Sequence, residues 1–170
     1  MRKKIVNNNV IKLASVALAA LLLFSSAVRP VYAGAKAAKK AYVLDETTRL
    51  NIIADAFNAT NAQRQLAGLP QLTWSQELFN AAEIRSYEIV VLFDHVRPDG
   101  TICVTAAPGI LLGENILEGN TARLKTGAGS VDAFMSCEEH KENILYPSYT
   151  TVAISVRQIN GIYYWVQLFG

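Results

Sequence analysis

The chain has 170 residues, with 16 lysines and arginines against 14 acidic residues and a formal net charge of +2. Five of the basic residues (Arg2, Lys3, Lys4, Lys12 and Arg29) fall in the first 33 positions, which hold no acidic residue. The rest of the chain therefore carries 11 basic against 14 acidic residues, a net charge of −3. With no basic patch, nucleic acid is excluded as a partner, and the ~130 remaining residues suit one domain with a real core.

Residues 1–33 read as a signal peptide. Arg2, Lys3 and Lys4 form a basic start, and Leu13 to Phe24 is an apolar run too short for a comfortable membrane span. Val31-Tyr32-Ala33 offers small residues where a signal peptidase reads, so cleavage before Gly34 is expected, with no membrane span thereafter. The protein is then secreted, into the medium or the cell-wall space. Residues 34–44 read as a small basic linker, and residues 45–170 as the folded domain.

Asp45 is a plausible N-cap for a helix that runs through Leu50, Ile53, Ala54, Phe57 and Asn61 to about Leu66. Gly68-Leu69-Pro70 stops it. Thr73 with Gln76 reads as a capping box for a second helix. That helix passes through Leu78, Ala81 and Ala82 to about Val91, with Glu83, Arg85 and Glu88 among its polar positions. Asp94 to Gly100 is loop, Thr101 to Thr105 a short strand, and residues 109–119 a turn or short helix. Thr121 to Lys125 starts a helix that Gly127-Ala128-Gly129 interrupts and Ser130 to Met135 resumes. Two β-branched and aromatic runs, 150–159 and 162–169, flank Asn160-Gly161, which predicts a type I′ hairpin. Its register sets Val156 opposite Trp165 and Val152 opposite Phe169.

The two histidines are the most informative residues. His95 lies in Asp94-His95-Val96-Arg97-Pro98-Asp99-Gly100, a tight turn in which Pro sets φ and Gly accepts a positive φ. His140 lies in Cys137-Glu138-Glu139-His140-Lys141-Glu142-Asn143-Ile144-Leu145, and Gly113-Glu114-Asn115-Ile116 comes between them. Imidazole is the side chain that most readily ligates a metal or moves a proton near neutral pH. A single histidine of this kind reads as a local cap. Two, with this set of neighbours, point to a shared polar cleft.

The order His-x-Arg-Pro-x-Gly, Gly-Glu-Asn-Ile, an aromatic followed by His-x-x-Asn-Ile-Leu, and Tyr-Trp-Val-Gln-x-Phe resembles the CAP superfamily. This superfamily holds cysteine-rich secretory proteins, antigen five and plant pathogenesis-related proteins of group one. The resemblance covers about residues 47–170 and is closest to the bacterial secreted branch. It implies an α+β fold: a single α-β-α sandwich closed by a C-terminal β-hairpin. It also implies a cleft of His95, Glu114 and His140. Two departures stand out. Phe134 replaces a usual Trp, and Cys137 stands where bacterial relatives often carry Ser and animal and plant relatives a second Glu. Glu138 and Glu139 are the nearest candidates for that missing acid. The spacing around Thr126 to Ser130 is also slightly long.

His95, Glu114 and His140 make a credible zinc triad, because three protein ligands plus water is the catalytic zinc pattern. They lack the His-Glu-x-x-His spacing of a zinc protease, and no Ser nucleophile with base and orienter is evident. No cofactor is required, and weak divalent binding is expected over a tight structural site. The leading expectation is a monomeric, non-enzymatic extracellular binding module whose ligand is a lipid, a peptide or a divalent cation. A metal-assisted hydrolase using the same cleft is the alternative, and a structural domain without ligand the third. Cys103 and Cys137 are expected to form a disulfide, given an oxidising exterior. The competing outcomes are a Cys-Cys-His-His metal set and two unrelated free thiols.

Overall fold

The computed structural model describes residues 44–170. The signal peptide expected over 1–33, and all of the linker expected over 34–44 except Leu44, lie outside the described residues.

Helix α1 (Glu46–Leu66) begins where the sequence places its cap: Thr48 N–H donates to the Asp45 carboxylate at 2.9 Å. Strand β1 (Thr73–Trp74) and helix α2 (Gln76–Val91) follow. Next come a 3₁₀ turn at Cys103–Ala106, strand β2 (Gly113–Gly119) and a second 3₁₀ turn at Ala122–Lys125. Helices α3 (Gly127–Met135) and α4 (Glu138–Ile144) lead into strands β3 (Thr151–Ile159) and β4 (Ile162–Phe169). The four strands form one sheet in the order β1-β3-β4-β2, with β1 parallel to β3 and the other pairs antiparallel. The hairpin register is the expected one, Val156 opposite Trp165 and Val152 opposite Phe169. Asn160 and Gly161 take φ of 52° and 82°, as a type I′ turn demands.

Alternation along β3 and β4 splits the core in two. Val152, Ile154, Val156, Trp165 and Phe169 pack with Ile53 and Ala56 of α1, Val131 and Phe134 of α3, and Ile144 of α4. On the opposite face Ala153, Val166 and Leu168 pack with Leu78, Ala81, Ala82 and Ile89 of α2. The sheet is covered on both sides, so its central strands read as nearly continuous apolar runs. This is the α-β-α sandwich expected. Among the described residues no helix is long and apolar enough to cross a membrane.

Four local expectations need correction. The cap of α2 is Ser75, whose hydroxyl accepts from Leu78 N–H at 3.2 Å, whereas Thr73 belongs to β1. Thr101 to Thr105 is not a strand: only Ile102 bridges back to Val96, and a 3₁₀ turn follows. Thr101 and Thr105 spend their hydroxyls on Asp99 and the Ile102 carbonyl, so local side-chain bonds displace the ladder. Only the first two residues of 109–119 are a turn; most of the segment is β2, which pairs along its whole length with β4. Tertiary pairing there overrides the weak strand preference of Glu and Asn. Gly127 starts α3 instead of interrupting a helix. A Cβ there would collide with the Ile52 carbonyl and the Ala56 amide, so α1 and α3 meet where a side chain has no room.

Candidate functional site

Arg85 is where the site is built. Its side chain is 0% exposed on the inner face of α2, on the same stripe as Leu78, Ala82 and Ile89. A guanidinium in that position must be paired. Arg85 Nε and Nη2 donate to the two carboxylate oxygens of Glu114 at 2.7 and 3.1 Å. Nη1 donates to Glu88 at 2.8 Å, and Nη2 also reaches the Asp94 carbonyl at 2.7 Å. One helix residue thus holds strand β2, its own helix and the loop that carries His95.

Glu114 is 1% exposed in its side chain, and His95 is 56% exposed. His95 Nδ1 lies 2.9 Å from Glu114 Oε1, and because a carboxylate only accepts, Nδ1 is the donor. The loop is fixed beneath it: Val96 N–H donates to the Asp94 carboxylate at 2.7 Å, and Gly100 N–H closes the turn on the Arg97 carbonyl at 2.8 Å. Arg97 forks onto Glu88, with Nη2 at 2.7 Å. Burial works against the Glu88 charge, but Arg97 and Arg85 outweigh it and hold its carboxyl below the usual range.

The Cys103 sulfur and the Glu114 carboxylate push the His95 imidazole up to about 10, against the opposing effect of burial. His140 moves the other way. Burial lowers it first, the nearby His95 charge lowers it further, and Glu139 opposes them weakly. His140 is half-buried with its ring edge-on to Phe134, centroids 5.2 Å apart. Helix α4 is clamped to β2 by amides: Asn115 Nδ2 donates to the His140 carbonyl at 2.9 Å, and Asn143 Nδ2 to Asn115 Oδ1 at 2.9 Å. Arg64 of α1 ties down the far end through the Ile144 and Tyr146 carbonyls, both at 2.9 Å.

Among the described residues, one set of three potential metal-ligating atoms lies within 4.8 Å of one another, and it comes from His95, Cys103 and Glu114. His140 is outside that set, although close enough to feel the charge of His95. Glu114 fits poorly as a ligand, since both its oxygens already accept from Arg85. A divalent cation there would sit beside a buried guanidinium. Glu138 and Glu139 do not enter the cluster. Glu138 pairs with Lys141 at 3.3 Å and lines a separate depression of about 380 Å³ with Leu145, Tyr146 and Pro147; Glu139 is exposed. The expected Cys103–Cys137 disulfide is absent: both thiols are free and half-buried. Cys103 N–H donates to the His95 carbonyl at 2.8 Å, so the Val96–Ile102 bridge sets the sulfur against the imidazole instead.

Arg85 and Glu88 are the residues that sequence reasoning left unassigned. The signal was present. Arg85 falls on the apolar stripe of α2, where an unpaired charge is not tolerated.

With the geometry in place, the likenesses to known proteins follow. Residues 57–169 match the model of the cysteine-rich secretory protein family, CAP. A protein of Bacillus subtilis (strain 168), YkwD, is 32% identical over 117 residues, covering 65% of this chain. The match takes up 43% of that relative, so this chain corresponds to less than half its length. An extracellular protein containing an SCP domain from Bacillus anthracis superposes with a TM-score of 0.58 at 23% identity, over 71% of this chain and 41% of the other. An outer surface protein of Borrelia burgdorferi gives 0.60 at 15% identity, over 76% and 97%. At these identities the two solved structures speak for the fold alone. The ordered motifs, the sandwich and the family match agree: the chain belongs to the CAP family of cysteine-rich secretory proteins.

Proposed function

We propose that this protein is a secreted, non-enzymatic binding module whose cleft presents His95 to an extracellular ligand. The observation that carries the reading is an exposed imidazole anchored from behind by a buried carboxylate, which is itself forked onto Arg85. Nδ1 is committed to Glu114, while the rest of the side chain is open to solvent. The same segment exposes Leu92, Phe93, Val96 and Ile102. A ligand with an acceptor or acidic group and an apolar body, in a peptide or a lipid, suits that combination. Secretion rests on the N-terminal 33 residues and agrees with relatives described as extracellular and outer-surface proteins.

The metal-assisted hydrolase has less support, because Glu114 is spent on Arg85 and His140 stands apart from the other two. The test is a panel of fatty acids and peptides with free carboxylates, followed through the ring resonances of the two histidines. A binding ligand should shift His95, and His95→Gln should weaken it by roughly tenfold or more, the worth of one charge-assisted hydrogen bond. Ligands that bind equally well to His95→Gln would remove the cleft from the function.

A further inference from the structure

We propose that Cys103 is an activated thiol, a site of thiol–disulfide chemistry assembled by His95 and Glu114. This does not depend on the ligand reading above. Three observations converge on it. The Cys103 sulfur lies within 4.8 Å of a ring nitrogen of His95 and of a carboxylate oxygen of Glu114. The imidazole is oriented by Glu114 through Nδ1 at 2.9 Å, and Glu114 is fixed by the Arg85 fork. The main chain locks the pair in place, with Cys103 N–H on the His95 carbonyl and Val96 bridged to Ile102. A thiol beside an imidazole that is itself oriented by a carboxylate is the arrangement that makes a cysteine nucleophilic. Here the three partners come from one turn and one strand, and the carboxylate is buried while the imidazole is open to solvent.

Cys103 has no partner thiol in the fold, so its natural electrophile outside the cell is a small disulfide. The Cys103 thiolate, paired with protonated His95, attacks one sulfur of that disulfide. A new S–S bond forms on Cys103, the old S–S bond breaks, and its electron pair leaves on the second sulfur. His95 gives its proton to that departing thiolate. Cys103 is oxidised, half of the small disulfide is reduced, and the imidazole ends neutral. The charged groups around this step are Arg85, Glu88, Arg97 and Glu114, with Asp99 at the rim of the turn and the titratable His140 nearby.

Cys137 supplies the internal reference. It is also half-buried, but it caps the seven-residue α4 without a side-chain hydrogen bond and lies outside the His95 cluster. The protein without its first 33 residues, held in chelator, is treated with iodoacetamide across a range of pH, and the two thiols are followed separately by peptide mass. Near pH 6, Cys103 should react at least about tenfold faster than Cys137. His95→Gln, at an exposed position, should return the Cys103 rate to that of Cys137. Glutathione disulfide should give a mixed disulfide on Cys103 and not on Cys137. A wild-type Cys103 that reacts no faster than Cys137 overturns the proposal, whatever the variant does. So does a Cys103 rate that His95→Gln leaves unchanged, or a native protein that resists alkylation because Cys103 and Cys137 are bridged.

Discussion

His95 donates from Nδ1 to Glu114 Oε1 across 2.9 Å, and the oxygen that accepts it also accepts from Arg85. The imidazole therefore leans on a carboxylate that cannot swing away, although its own ring is open to solvent. This relationship sets the charge of the cleft.

The two histidines should titrate far apart. His95, raised by Cys103 and Glu114 to about 10, should stay protonated through neutral pH, while His140, lowered by burial and by His95, should be neutral there. For His95 the folded state holds the proton more tightly than the unfolded chain. Its contribution to stability is complete below about pH 6.5 and fades as pH rises toward about 10. For His140 the sign reverses, and its contribution is lost as pH falls below about 6.5. The chain has only two histidines, so ring-proton resonances assign both transitions directly. Two midpoints both near 6.5 would dissolve the Cys103–His95–Glu114 unit as described.

Arg85→Gln should be among the most damaging polar substitutions in the domain. It leaves Glu114 with only the exposed His95 as a cation and removes one of the two cations on Glu88, both carboxylates being buried. Removing one partner of a buried pair costs about 3–5 kcal/mol. Arg97→Gln should cost less, about 1–2 kcal/mol, because Glu88 keeps Arg85. Urea unfolding of the two variants side by side checks the order, and a milder effect for Arg85 would mean the fork does not hold the cleft together.

The C-terminal hairpin was legible because its turn chemistry and its residue types agree with its tertiary role. Asn160-Gly161 supplies the positive φ, and the flanking runs are buried on both faces. His95 and Glu114 were legible as a pair through the ordered motifs, and the structure sets them in contact. Strand β2 was not legible: Glu114 and Asn115 are poor strand formers, held by partners far away in sequence, Arg85 and Gln167. The place of Cys103 was not legible either. It depends on a one-residue bridge, Val96 to Ile102, that no periodicity records.

Asn115 and Asn143 lie in the same motifs as Glu114 and His140, and their amides act as a clamp. Asn115 donates to the His140 carbonyl and to Gln167, and accepts from Asn143. Asn115→Ala takes a partner from the buried Gln167 amide oxygen and from the half-buried His140 carbonyl, and leaves Asn143 Nδ2 only the Glu114 carbonyl at 3.4 Å, a cost of about 1–3 kcal/mol. The local signature matters more than the total. Amide exchange in α4 should accelerate beyond the global change, and the His140 resonance should move. Unchanged protection of α4 relative to the rest of the fold would show that other contacts hold His140 in place.

Gly127 tests the packing of α1 on α3. A methyl group there meets the Ile52 carbonyl and the Ala56 amide, both backbone atoms that cannot rotate aside. Asp55 of the same helix also accepts from Ala128 N–H at 2.7 Å, which fixes the start of α3 against α1. Gly127→Ala should therefore act by overpacking despite the better helix propensity of Ala, at about 1–3 kcal/mol or more. The exposed neighbour provides the control: Ala128→Ser should stay within about 0.5 kcal/mol. Urea midpoints of both variants decide the point. If Gly127→Ala matches or exceeds the wild type in stability, the two helices are not in backbone contact at this position.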